Sequence, residues 1–253
     1  MNEMSGTRGQ GIQAQLSVPL AQAVFCVLDT ETTGFQPGVD AVLEVAGVRT
    51  SLAEGILHRE SWLVNPGRPI PADATEIHGI RDEDVAGAGS LEDALGRLYE
   101  QPFDAWVAHN AAFDFGFVQA GDIPVVCTLR IARRLWPELP SHKNQSLRDY
   151  LKLQVDGADG LPAHRAEPDA LVTTALLRFE LLTLQERFPG ISTLGEFLEW
   201  LETPFLLPQC NFGSKHRGRP WSEVPRSYIA WALENFDNID PDLEATMRFH
   251  LKA

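Results

Sequence analysis

Apolar residues are thin over the first twenty positions and then abruptly dense. The run VFCVLDT from Val24 is continuous enough for a strand covered on both faces. AVLEVAGVRT and GILHRESWLV read as two further strands with a turn near Ala53 to Gly55. NPGRPIPADATEIHGI carries three prolines and reads as a long ordered loop. SLEDALGRLYE has the spacing of an amphipathic helix opened by Ser90 as N-cap with Asp93 three residues on. FDAWVAHN is a short strand, and AAFDFGFVQA then turns helical with Asn110 placed to cap it. IPVVCT reads as a fifth strand leading into the helix LRIARRLW, which Pro137 ends. A helix opening at Pro168 and running through DALVTTALLRFELLTLQERF closes this pattern.

Beyond Pro189-Gly190 come a short helix (STLGEFLEWLE), a basic glycine-rich turn region (NFGSKHRGRPW) and two amphipathic helices (VPRSYIAWALENF and PDLEATMRFHL). Strands in a hairpin-like run, followed by strands alternating with helices, predict an α/β fold with a mixed β-sheet flanked by helices. A small, mostly helical C-terminal module is appended. The expected division is a flexible tail over 1–20, a main domain over 21–188 and the module over 189–253.

Composition narrows the function classes. A chain of 253 residues, 44% hydrophobic and 22% charged, has the profile of a globular protein, and no run approaches the roughly 18 apolar residues of a membrane span. The polar start MNEMSGTRGQGIQ lacks an apolar core of the signal-peptide kind, so a cytoplasmic location without membrane contact is expected. Cys26, Cys127 and Cys210 are widely spaced and read as reduced structural thiols. The net charge of −14 opposes coating of nucleic acid by bulk electrostatics. Any such contact must be local, helped by bound metal and basic patches.

Chemistry concentrates in three short motifs: Asp29 and Glu31 in VLDTETTG, Asp114 in HNAAFDFGF, and His164 with Asp169 in HRAEPDA. Two positions apart on a strand, Asp29 and Glu31 leave one face of the sheet while Thr30 points the other way. An isolated pair of this kind is more often a solvated strand edge, and Asp114 alone would be a carboxylate favoured by a helix dipole. Of Phe113, Phe115 and Phe117, most read as core, with one free to stack on a base; His109 reads as a packing residue. Thr32, Thr33 and Gly34 at the strand end let backbone and hydroxyl groups approach a nucleotide. His164, in a loop before a helix, suits a mobile general base. Four clustered carboxylates repel one another and require a strong cation, which makes divalent metal the candidate and a phosphodiester the substrate.

In this order and at these separations the motifs resemble those of the DEDDh group of 3'-to-5' exonucleases, the DnaQ-like family, over roughly residues 22 to 185. NPGRPIPADATEIHGI is also similar to the loop after the third strand of those enzymes. The resemblance implies an RNase H-like fold and two Mg2+ (or Mn2+) ions. Asp29 would serve both ions, Glu31 and Asp169 the ion carrying the nucleophilic water, Asp114 the second ion, and His164 would be the base. Substrate contacts are expected at Thr32, Thr33, Gly34, His78, Asn110 and Phe113. The implied activity is hydrolysis of DNA from 3' ends to 5'-mononucleotides. An RNA 3'-5' exonuclease, a polymerase proofreading subunit and a non-catalytic adaptor are the alternatives.

The module resembles the small C-terminal module of exonuclease X-type proteins, with Ser214 inserted in its glycine-lysine signature. Lys215, Arg217 and Arg219, with Trp221 and Tyr228 as stacking surfaces, are candidates for a nucleic-acid grip; a solvated basic turn is the alternative. Arg130, Arg133, Arg134, His142, Lys143 and Arg148 form a second basic cluster. QLSVPL, with Gln15, Leu16 and Leu20, resembles the peptide by which bacterial replication proteins bind a sliding clamp, or else simply leads into the first strand.

Overall fold

The computed structural model describes residues 16–157, 164–236 and 239–252. Five strands, β1 (Phe25–Thr32), β2 (Val42–Ser51), β3 (Gly55–Leu63), β4 (Ala105–Ala108) and β5 (Val125–Cys127), form one sheet in the order β3-β2-β1-β4-β5. β1, β2 and β3 pair antiparallel, while β1, β4 and β5 run parallel. The expected mixed sheet flanked by helices is therefore present. β1 is central, and its alternation divides the core. Phe25 and Val27 enter a cluster with α5 (Thr128–Leu135) and α7 (Ala166–Arg187), whereas Cys26 and Leu28 enter one with α3 (Leu91–Leu98) and Trp106. A central strand buried on both faces shows as the unbroken apolar run seen in the sequence.

Several elements differ from the sequence-based reading. The proline-rich loop holds two short helices, α1 (Ala72–His78) and α2 (Asp82–Val85), because its prolines precede the helices without interrupting them. The helix expected after Asn110 is only α4 (Asp114–Phe117), and Asn110 adopts a left-handed φ of 66° in the preceding turn and caps nothing. α6 (Asn144–Leu151) has no counterpart among the expected elements. α7 starts at Ala166, two residues before Pro168, which still occupies the first turn where no backbone donor is needed. Ser90 does cap α3, with Asp93 completing the reciprocal bond.

Leu194, Phe197 and Leu201 of α8 (Leu194–Glu202) pack into the main core. A separate cluster built on Leu207, Trp221, Ile229 and Met247 holds α9 (Arg226–Asn235) and α10 (Pro241–Lys252) together. The packing boundary thus falls after α8, not at Pro189-Gly190, because α8 is amphipathic toward the main domain. No helix among the described residues is long and apolar enough to cross a membrane.

Candidate active site

The parity of β1 builds the site. Asp29 and Glu31 continue the Phe25–Val27 face, toward α7, and Asp169 arrives there from the first turn of α7. Asp29, Glu31 and Asp169 each offer a carboxylate oxygen, and these oxygens lie within 4.8 Å of one another. Thr30 faces the other way, and its hydroxyl donates to Asp114 Oδ1 at 2.8 Å, fixing a carboxylate that is only 3% exposed. Asp114 lies close enough to Asp29 to raise its proton affinity.

The acids are held in an unfavourable state. Burial, then the charges of Asp114, Asp169 and Glu31, keep Asp29 well above its ordinary 3.8. Burial, then Asp169 and Glu44, push Glu31 up to about 8, with Arg165 opposing. Burial lifts Asp114 to about 7 against the Thr30 hydrogen bond. Asp169 is also raised by burial, offset by the Gln145 amide, which donates to its Oδ1 at 2.7 Å, and by the nearby His164. Hard oxygen donors that crowd together are the donor set that Mg2+ or Mn2+ accepts, and a divalent cation would remove the repulsion that disfavours their ionised forms.

Glu44 has no signal in the sequence. It sits opposite Glu31 in the β1–β2 register, on the same face, where two like charges would normally destabilise the pair. Arg165 neutralises it with a fork of two bonds (2.8 and 2.7 Å), and the Ala166 amide (3.0 Å) and the Ser61 hydroxyl (3.1 Å) donate to it as well. This buried anchor fixes the chain directly after His164 and at the start of the helix carrying Asp169. His164 itself is exposed, with a left-handed φ of 57°. Its neighbours are thereby held while its ring remains open to solvent.

A cavity of about 230 Å3 adjoins Glu31 and is lined by Thr32, Thr33, Gly34, His78 and Phe113, five of the expected substrate residues. Phe35, 78% exposed and 6.3 Å from the Phe113 ring, and Ile77, 54% exposed, complete its rim. The sequence signal for Phe35 is an aromatic in a turn directly after Thr-Thr-Gly, where no core is available to it. His78 Nδ1 accepts from the Ile80 amide at 3.0 Å, while its Nε2 is shielded from solvent on the side of the Thr32 backbone. A side chain at Gly34 would strike the Asp40 carboxylate at 2.5 Å, so the glycine is required for local packing as well as for access. Asn110 lies outside this cavity, on a second groove shared with the C-terminal module. His109 is the packing residue expected: burial lowers its pKa to about 4, and its nitrogens meet Thr128 Oγ1 and the His142 carbonyl, both at 2.9 Å.

The basic features resolve differently. Arg130 and Arg134 bind Asp242 of α10, with bonds of 2.7 Å from Arg134, and Arg133 pairs with Asp240. These cations dock the C-terminal module, and Arg130 and Arg134 are not presented to phosphate. Trp221 is 2% exposed in the module core and stacks on His250, so it offers no surface to a base; its apolar bulk is needed in a small core. Lys215, Arg217 and Arg219 are exposed. Of the clamp-like peptide, Gln15 lies outside the described residues. Leu16 is half-buried against Gly195, and Leu20 is fully buried with its amide donating to the Ser192 carbonyl. The end of the expected tail, from Leu16, is therefore part of the main fold, and a clamp would have to strip Leu20 from the core.

Residues 26–177 match the family model described as Exonuclease. The chain is 33% identical over 230 residues to exodeoxyribonuclease 10 of Escherichia coli K12, covering 89% of this chain and 98% of that protein. It is 33% identical over 175 residues to DNA polymerase III PolC-type of Listeria welshimeri, covering 65% of this chain and 12% of that much longer one. The solved structure of exonuclease X in complex with 5' overhanging duplex DNA superposes with a TM-score of 0.57 at 36% identity, over 63% of this chain and 92% of that one. E. coli exonuclease I in complex with a dT13 oligonucleotide shares the fold, with a TM-score of 0.55 at 20% identity over 67% of this chain and 43% of that one. With its motifs intact at the end of β1 and a nuclease domain spanning most of its length, the chain belongs to the DnaQ-like exonuclease family and is a phosphodiester hydrolase.

Proposed function

We propose that this protein hydrolyses DNA from 3' ends in the cytoplasm, releasing 5'-mononucleotides by a two-metal mechanism with His164 as general base. The observation that carries the proposal is the convergence of Asp29, Glu31 and Asp169 within 4.8 Å beside the buried Asp114. Asp29, Glu31, Asp114 and Asp169 would hold two Mg2+ or Mn2+ ions, which would supply a water of lowered pKa and neutralise charge developing at the phosphate. His164, open to solvent, takes a proton from the attacking water, and the Glu44–Arg165 pair holds the chain beside it. The terminal nucleotide fits the cavity beside Glu31. There the Phe113 and Phe35 rings present π-faces to a base, and His78 forms part of the wall. DNA is favoured because the full-length relative is named an exodeoxyribonuclease and the similar exonuclease X structure holds DNA.

Product analysis tests the proposal. Uniformly labelled DNA incubated with Mg2+ is expected to yield 5'-mononucleotides, with RNA of the same sequence degraded far more slowly. Release of 3'-mononucleotides, or preference for RNA, would refute it.

A further inference from the structure

A groove of about 840 Å3 runs between the main domain and the C-terminal module, toward the upper end of the roughly 300–1,000 Å3 of ligand pockets. Its cationic side chains are Arg133 and Lys143 from the main domain and Arg217 from the module, against one carboxylate, Glu138. Arg133 is partly engaged by Asp240 at 3.3 Å. Lys143 and Arg217 are exposed and form no ion pair among the described residues, in a chain whose net charge is −14. Two further lining residues, Asn144 and Asn211, each carry a solvent-shielded amide oxygen without a partner among the described residues. A shielded acceptor left unpaired is costly, and a ligand donor would relieve that cost.

The groove is linked to the acid cluster through one of its lining side chains. Asn144 Nδ2 donates to the Asp169 carbonyl at 3.3 Å and to Thr173 Oγ1 at 2.9 Å, so the residue with the free acceptor is braced on the helix that carries a candidate metal ligand. No side chain caps the first turn of α6: the Lys143 amide donates to the Ser141 hydroxyl at 3.3 Å, and the Asn144 amide opens the first turn, where an anion would lie. Asn110, four residues before Asp114, also lines it.

We propose that this groove holds the single polynucleotide strand immediately 5' of the nucleotide being cleaved. Lys143 and Arg217 meet its phosphates, and the Asn144 and Asn211 oxygens accept from base or sugar donors. Cations and shielded acceptors in one groove match a polymer that carries both phosphates and donor-bearing bases. The module then completes the substrate path by lending Arg217 and Asn211. The inference rests on the exonuclease reading and adds the site that distinguishes a long strand from a short one.

The test is binding of a labelled single-stranded DNA oligonucleotide to the full chain by fluorescence anisotropy, in chelator and across a salt series. Wild type is compared with Lys143→Glu/Arg217→Glu and with a control of equal charge change outside the groove, Arg97→Glu/Lys252→Glu. All four positions are exposed, and a thermal melt of each variant verifies the fold. The groove variant is expected to bind more than tenfold more weakly than the control. Its slope of log affinity against log salt should flatten by about 1.4, roughly 0.7 for each single-strand phosphate that is no longer neutralised. Equal affinity and slope in the two folded variants would overturn the proposal. Nucleotide release by wild type in Mg2+ is scored separately: a binding difference without any hydrolysis would sink the exonuclease reading and leave the groove as a strand-binding site.

Discussion

Asp29, Glu31 and Asp169 crowd together at a cost in repulsion, and removing one should abolish turnover without harming the fold. Asp29→Ala and Asp169→Ala are expected to lose DNA hydrolysis entirely while melting no lower than wild type, as read by nuclease assay and calorimetry; robust activity in either variant would refute the metal-site assignment. Glu44→Gln keeps shape but weakens the fork to Arg165. Outer-shell losses of this kind typically cost 10–100-fold in activity or metal affinity, and a drop of about that size in kcat with little change in KM is expected. An unchanged kcat would show that the pair serves packing alone. The five ionisable residues are legible because each motif is contiguous in the chain. Glu44 is not, since its partner Arg165 is 121 residues away and nothing local marks a buried glutamate in a strand as anchored.

At the scale of elements, strong periodicity carries over and short helices do not. β1, β2, β3 and α7 are long enough for burial to impose their pattern. α1, α2 and α4 span four to seven residues, too short for an apolar period to register, and are held by tertiary contacts such as Ile80 and Val85 against Leu43. α7 carries a separate liability. Glu180 is fully buried, neither carboxylate oxygen has a hydrogen-bond partner among the described residues, and burial raises its pKa well above the ordinary 4.5. A carboxyl with a raised folded pKa holds its proton longer in the folded state. Its contribution to stability is thus complete below the unfolded value and is lost as pH rises through the folded one. Glu180→Gln, neutral throughout, should remove that part of the alkaline loss, so the gap in melting temperature between variant and wild type is expected to widen in favour of the variant from acid to alkaline pH. A constant gap would contradict the assignment.

On the scale of the whole molecule, two cores are joined by a buried ionic clamp. Arg134 and Arg130 hold Asp242 below the usual carboxylate range despite its burial, and Arg134 also donates to the Leu201 and Thr203 carbonyls that end α8. Asp242→Ala strands Arg134 and should destabilise by about 3–5 kcal/mol in chemical denaturation, whereas Arg134→Met with Asp242→Leu should recover most of that loss. Equal destabilisation by the single and double variants would argue against the clamp. Basic residues between the second and third motifs look like a phosphate-binding face in the sequence because their acidic partners lie more than 100 positions downstream. The boundary after α8 is hidden for a related reason, since Pro189-Gly190 marks a turn within a continuous packing unit.

Hydrolysis polarity and metal dependence, read together, test the central claim most directly. A 5'-labelled DNA oligonucleotide digested in Mg2+ should yield a ladder shortening stepwise from its 3' end. The ladder should vanish with chelator, with a blocked 3' terminus, or in Asp169→Ala. Immediate release of the 5' label as a mononucleotide, or an undiminished ladder in chelator, would contradict the account.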